Sequence, residues 1–252
     1  MSKNINWYKI FNNKNFSYTK NSKELKKSNY QLYSYNLAKI IYPELSFIKF
    51  INIIKFMEKI LRIKKKESIL DFGSGNGAFL TYFTKKYNLR DNYSFELSLP
   101  LIEFQKKIID RTSFYQTHQS NHKALDKINN NKIVDHSISN SVFQYFCSNL
   151  YCFKVLDFLI KATKKSILIY DIKDLNKKSI YKERVRIRQN LSKTEFKNKY
   201  KNTPIRLYPK NFFVRILRNL KKKYNFKYKF ISLPPSATDS EFGYCLLIKK
   251  NL

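Results

Sequence analysis

Asp71, three clustered glycines and Glu96 are the residues of this chain best spaced to hold a small ligand. The run "DFGSGNG" (71–77) contains Gly73, Gly75 and Gly77, three of only 4 glycines in 252 residues, where about 18 would be ordinary. An apolar run, "SIL" (68–70), leads into it, and "AFLTYFTKKY" (78–87) follows with helical spacing. Strand, glycine turn and helix together are how α/β sheets hold nucleotide-like ligands at the carboxyl ends of their strands. Glycine permits positive φ and lets a ligand approach with no Cβ in the way. The helix beyond offers unpaired N–H groups. Glu96 ends the strand-like "NYSFE" (92–96), 19 residues after Gly77, where an acid accepts hydrogen bonds from ribose hydroxyls.

Gly73, Gly75 and Ala78 also match the dinucleotide pattern G-x-G-x-x-A. Asp71 argues against that ligand, because a carboxylate two residues before the first glycine repels a pyrophosphate and attracts an ammonium group. S-adenosylmethionine carries no phosphate and two cationic centres, an ammonium and a sulfonium, and it suits Asp71 better.

The elements that must position these residues follow from apolar patterning. Strands are expected at 68–70, 92–96, 113–116, 132–138 and 165–172, with helices at 78–87, 99–109 and 148–163. Alternation of this kind makes a parallel sheet covered on both faces. A helix over 210–224 precedes two strands, 226–233 and 242–250, with no room for a helix between them. These two should pair antiparallel. The expected fold is therefore α/β: a Rossmann-like, doubly wound, mostly parallel seven-stranded sheet ending in an antiparallel hairpin. Residues 1–62 read as a helical, tyrosine-rich extension that caps the strand ends as part of an acceptor pocket, a dimerisation arm being the alternative. Residues 63–252 read as the main domain, with 173–210 as an insertion over the substrate. The segment "LSFIKFINIIKFMEKIL" (45–61) is interrupted by a polar residue every three or four positions, so it reads as an amphipathic helix rather than a membrane span.

"ILDFGSGNGAFL" resembles the first motif, D-x-G-x-G-x-G, of the class I S-adenosylmethionine-dependent methyltransferases. "YSFELSLPLIEFQKK" resembles their second motif, "DHSISNSVFQYF" (135–146) their fourth-strand motif and "ILIYDI" their fifth strand. The resemblance spans about residues 66–172 plus the terminal hairpin. It implies S-adenosylmethionine as cofactor. Asp71, Gly73, Ser74, Gly75 and Gly77 would hold its methionine part, and Glu96 with Leu97 its ribose. Gln116 or His118 would stand near adenine, where the family often has Asp. Asn140, Ser141 and Val142 would lie beside the transferring methyl. An amine acceptor usually accompanies D/N-P-P-Y/F after the fourth strand. The matching place here reads "NSVF", so methylation at oxygen is expected, aided by a general base. His118, His122, His136 and Asp171 are the candidates, and Tyr145 and Tyr208 could orient an acceptor.

The segment 173–210 holds 13 basic residues and 3 acids. Four of the nine arginines, Arg184, Arg186, Arg188 and Arg206, fall within it. They are read either as a solvated helical face or as a grip on phosphate or carboxylate, for which Arg is better shaped than Lys. "RLYPKNFF" is similar to methyltransferases of small-molecule and polysaccharide pathways.

The net charge of +32 has two readings. Lysine, Asn, Ile, Tyr and Phe share A/T-rich codons, so base composition can supply it; a nucleic-acid footprint is the other. Three cysteines without a C-x-x-C pair suggest neither disulfides nor a zinc site and fit a reducing cytoplasm. The N-terminus lacks an apolar core of signal-peptide length. The expectation is a cytoplasmic enzyme that methylates a small-molecule, nucleotide-linked or saccharide acceptor, with an RNA methyltransferase and a non-catalytic basic binding protein as alternatives.

Overall fold

The computed structural model describes residues 29–117, 134–201, 205–235 and 240–250. The expected signals at His118, His122 and residues 1–28 lie outside them. Helices α1 (Tyr30–Ile41) and α2 (Phe47–Leu61) precede a run of β1 (Ile69–Phe72), α3 (Ala78–Tyr87), β2 (Asn92–Glu96), α4 (Leu99–Lys106) and β3 (Thr112–Gln116). Then come β4 (Val134–Asn140), α5 (Asn149–Ala162), β5 (Thr163–Lys173), α6 (Lys178–Arg188), α7 (Lys193–Tyr200), α8 (Lys210–Leu220), β6 (Phe226–Ser232) and β7 (Gly243–Lys250).

The seven strands form one sheet in the order β3-β2-β1-β4-β5-β7-β6. β1 to β5 run parallel, and β7 enters antiparallel between β5 and β6. The expected hairpin is therefore present, its second strand lying inside its first. The strand order reverses between β1 and β4. That is the crevice in which open α/β sheets bind ligands, at the carboxyl ends of the strands.

Both faces of the sheet are covered. On one, α5 and α8 bury Phe158, Leu159, Phe213 and Leu217 against Phe72, Phe95 and Ile169. On the other, α1 to α4 bury Leu37, Ile54, Met57, Phe83 and Phe104 against Ile69, Ile138 and Leu168. The helices follow their sequence. In α2, Phe50, Ile53, Ile54, Met57 and Leu61 recur at the spacing of one helical face and all are buried, which is a core stripe. Ser46 caps its start by accepting from the Lys49 N–H. In α8, Phe213, Ile216, Leu217 and Leu220 are buried while Arg215 and Arg218 are exposed. No helix among the described residues is long and apolar enough to cross a membrane.

The segment after β5 departs from its neighbours. α6 buries only Val185, and α7 buries nothing. Polar links hold them instead. Ser192 and Glu195 form a reciprocal capping box, Arg186 donates to the Leu191 carbonyl, and Gln189 bonds the Tyr200 hydroxyl. Two helices with so little core of their own enclose space rather than fill it.

At the opposite, amino end of the sheet, a polar knot ties β1, β4 and β5. The His136 ring lies 2.9 Å from Glu67 Oε2 and 2.7 Å from Ser166 Oγ. Lys165 pairs with Glu67 at 2.5 Å and with Asp135 at 3.1 Å. Asp135 in turn accepts from the Ser68 N–H at 3.0 Å.

Candidate functional site

All three glycines of the 71–77 loop have left-handed backbones, with φ of 76°, 59° and 79° at Gly73, Gly75 and Gly77. Side chains rarely adopt that region. The loop is also tight. A Cβ at Gly73 would lie 2.3 Å from Val142 Cγ2, and one at Gly77 would lie 2.3 Å from Ile109 Cδ1. Beneath it runs a buried hydrogen-bond chain. Ser74 Oγ and Ser94 Oγ are 2.7 Å apart, Ser94 donates to Gln105 Oε1 at 2.7 Å, and Gln105 Nε2 donates to the Gly75 carbonyl at 2.7 Å. Ser94 and Gln105 are functional supports that the sequence reading missed; nothing in their types or spacing marked them.

Glu96 ends β2 with its carboxylate turned onto the loop. Oε2 accepts from the Gly75 N–H at 2.8 Å, and Oε1 accepts from Leu97 and Ser98 at 2.8 and 2.9 Å. Burial raises its pKa above the ordinary value, against those three N–H groups. Leu97, half-buried, is the next residue. Gln116, at the end of β3, pairs in register with Glu96.

Asp71 is the exception in this bonded environment. It is 2% exposed, and its Oδ1 has no hydrogen-bond partner. Burial first, and the nearby Glu96 second, push its pKa up to about 8. A buried, orphaned carboxylate costs stability, and a cationic group placed against it would remove that cost. The orphan oxygen fits the ammonium group of S-adenosylmethionine.

Across the crevice, Ser141 follows the last residue of β4 and Asp171 lies two residues before the end of β5. Both are left-handed without being glycine, with φ of 57° and 60°. Ser141 Oγ donates to Asp171 Oδ2 at 2.7 Å, and Lys173 Nζ, on a buried lysine, donates to Oδ1 at 2.8 Å. Asn140 precedes Ser141, whose Oγ lies 3.4 Å from Asn140 Oδ1. Val142 fills the space beside Gly73. Strain of this kind gathers where a structure over-determines a site.

The end of α1 reaches over both halves. The Ile41 Cδ1 atom lies 3.0 Å from where a Gly75 Cβ would be, and Asn76 donates to the Leu37 carbonyl. Tyr42 leaves 45% of its surface exposed. Its hydroxyl is nevertheless enclosed: it bonds Ser141, and Asp171, Tyr145 and Glu96 lie close by, so burial raises its pKa. Ile41 and Tyr42 are a second miss of the sequence reading, which placed the N-terminal region over the strand ends but singled out neither.

The remaining expected residues fall elsewhere or serve other ends. His136 lies in the polar knot at the amino end of the sheet, paired in register with Ile69 at the start of β1. It is remote from the strand ends and is no general base for chemistry there. Burial lowers its pKa, opposed by Glu67. Tyr208 is buried and donates to the Phe143 carbonyl at 3.0 Å, bracing the turn after β4. Arg206 donates to the Phe146 and Cys147 carbonyls at 2.6 and 2.5 Å. Arg186 forks onto Glu183, and Arg184 pairs with Glu241 on the exposed surface.

Arg188, with Tyr145, lines a cavity of about 910 Å³ beneath α6 and α7. Burial raises the pKa of Tyr145, opposed by a hydrogen bond with Gln144.

No protein-family model and no curated protein sequence matches the chain. Solved structures do match. The plantazolicin methyltransferase BamL, in complex with a triazolic desmethyl analogue and S-adenosylhomocysteine, superposes with a TM-score of 0.59 at 15% identity, over 92% of this chain and 98% of that one. An S-adenosylmethionine-dependent methyltransferase from Clostridium acetobutylicum gives 0.57 at 11%, over 88% and 99%. An O-methyltransferase family protein from Burkholderia thailandensis gives 0.51 at 14%, over 91% and 59%. The fold of this chain is that of the class I S-adenosylmethionine-dependent methyltransferases.

Proposed function

We propose that the protein is an S-adenosylmethionine-dependent methyltransferase acting on a hydroxyl of a small-molecule, nucleotide-linked or saccharide acceptor. The observation that carries this reading is the buried, partnerless Asp71 Oδ1 beside a cradle of three left-handed glycines. Asp71 receives the ammonium group, the Gly73–Gly77 backbone lies along the methionine part, and Glu96 uses its remaining lone pairs for the ribose. The cofactor supplies an electrophilic methyl group on sulfonium.

The chain's own residues do the rest. Asp171 takes the acceptor's hydroxyl proton at its carboxylate, and Ser141 and Lys173 fix that carboxylate in place. The enclosed hydroxyl of Tyr42 keeps its proton and serves as a donor that orients the acceptor. α1 and Tyr42 exclude water from the crevice.

Calorimetry with S-adenosylmethionine and S-adenosylhomocysteine tests the reading. A Kd in the micromolar range is expected, about −8 kcal/mol. Binding of NAD with no measurable affinity for either methionine nucleoside would end it. The charge of +32 favours RNA as a second acceptor class, which would bind with an affinity that falls steeply with salt.

A further inference from the structure

The cavity under α6 and α7 is lined by eight basic side chains and one acid. Over the whole chain the ratio is 50 to 18, so the lining is more basic than the chain's average. The single acid, Glu183, is already held by Arg186 through two contacts of 2.6 and 3.0 Å. Arg206 is spent on two backbone carbonyls. Four lysines that line the cavity, Lys178, Lys182, Lys197 and Lys201, have no carboxylate within ion-pair distance among the described residues.

The opposite character is present on the same wall. Tyr145, Tyr181, Phe196 and Tyr200 all line the space. Phe196 and Tyr200 sit 4.7 Å apart between ring centroids. A volume of about 910 Å³ suits a whole small ligand, about 300–1,000 Å³ being usual for such sites. Of the three arginines on the lining, Arg186 and Arg206 are committed to the protein, so lysine ammonium groups, which act as point charges, outnumber the guanidinium of Arg188, and several of them together match a dianion.

We infer that this cavity is the acceptor subsite and that it takes a phosphate monoester carried on a ring: the lysines of α6 and α7 hold the phosphate and the aromatic wall holds the ring. This rests on the methyltransferase reading for its role as acceptor, though not for its ligand chemistry.

The probe is 4-nitrophenyl phosphate, titrated calorimetrically into the intact protein at physiological salt. It should bind at least about ten times more tightly than 4-nitrophenol or inorganic phosphate, because only the ester satisfies both walls. The variant Lys182→Gln/Lys201→Gln should weaken it about tenfold. The surface control Lys222→Gln/Lys223→Gln, remote from the cavity, should leave it unchanged. Tyr200→Phe should fold and retain binding, whereas Phe196→Ala should lose about fivefold. Equal loss in the control and cavity variants would overturn the inference. So would decauridine binding more tightly than the probe with a salt slope of several counterions. S-adenosylhomocysteine is titrated in parallel. Its binding without any for the probe sinks the subsite alone. Probe binding without it removes the methyltransferase reading and leaves the pocket's ligand class standing.

Discussion

Ser141 and Asp171, thirty residues apart, meet through a 2.7 Å hydrogen bond while both hold left-handed backbones. The left-handed region costs most non-glycine residues about 1–2 kcal/mol, and aspartate less. The pairing points Asp171 at the crevice between β4 and β1, where an acceptor proton would be taken.

If Asp171 is that base, Asp171→Asn should lower kcat by about 10²–10⁴-fold. The amide keeps the hydrogen bond from Ser141 but leaves buried Lys173 without its carboxylate, so Asp171→Asn should also lower Tm, while the Kd for S-adenosylhomocysteine should change less than about twofold. Steady-state kinetics and calorimetry on the same preparation check these. A parallel loss of cofactor affinity would mean that the residue shapes the fold instead.

Asp71 makes cofactor binding pH-dependent. Its pKa in the free protein is pushed up to about 8 by burial, so below that value the carboxyl is protonated. Pairing with an ammonium group needs the carboxylate, so binding releases a proton below pH 8. Affinity should therefore rise with pH and level off above about 8. Calorimetry in buffers of different ionisation enthalpy measures the proton directly. Asp71→Asn should abolish the slope and weaken binding.

The same group has a stability signature of fixed sign. A folded pKa above the unfolded one contributes stability that is fully present below the unfolded value, 3.8, and is lost as pH rises through about 8. Asp71→Asn removes that loss. At pH 9 its Tm without cofactor should exceed wild type by several degrees, about 2–4 °C per kcal/mol for a chain of this size. At pH 4 the two should melt together. Melting curves in matched buffers decide it.

At Gly73, φ and close packing act together. Gly73→Ala puts a Cβ 2.3 Å from Val142 Cγ2 at φ 76°, and should destabilise by about 2–4 kcal/mol. Pairing it with Val142→Ala should recover the steric share and leave the backbone share of about 1 kcal/mol. A double-mutant cycle by urea denaturation separates the two; simple additivity would place the clash elsewhere.

Ile41 and Tyr42 lie over the glycine loop and Ser141, so cofactor should slow amide exchange in residues 30–42 as well as in 69–77. The variant Ile41→Ala/Tyr42→Ala should raise the cofactor Kd without changing the oligomeric state by light scattering. A dimer-to-monomer change would mark the N-terminal region as an assembly arm.

The parts of the site built from backbone conformation were legible in the sequence, because glycine types announce them: the loop at 73–77, its strand and its helix stand where the pattern puts them. The alternation of strands and the terminal hairpin were legible for the same local reason. The arginines were not. Arg206 serves carbonyls of Phe146 and Cys147, sixty and fifty-nine residues away, and a carbonyl partner leaves no mark on residue type. His136 misled because its strand was right but its end of the strand was wrong: two turns of pleat separate the knot at Glu67 from the site. Ser141 and Asp171 gave no signal of their left-handed backbones, since serine and aspartate are at home in many conformations.

The polar knot of Glu67, His136, Ser166, Lys165 and Asp135 binds the amino ends of β1, β4 and β5, directly under the seam where the strand order reverses. The seam is thus a book sewn at the spine. Its pages cannot part at the stitched edge, so the gap above cannot grow by the sheet splitting. The helices over the strand ends, α1 on one side and α6 and α7 on the other, lie outside those stitches.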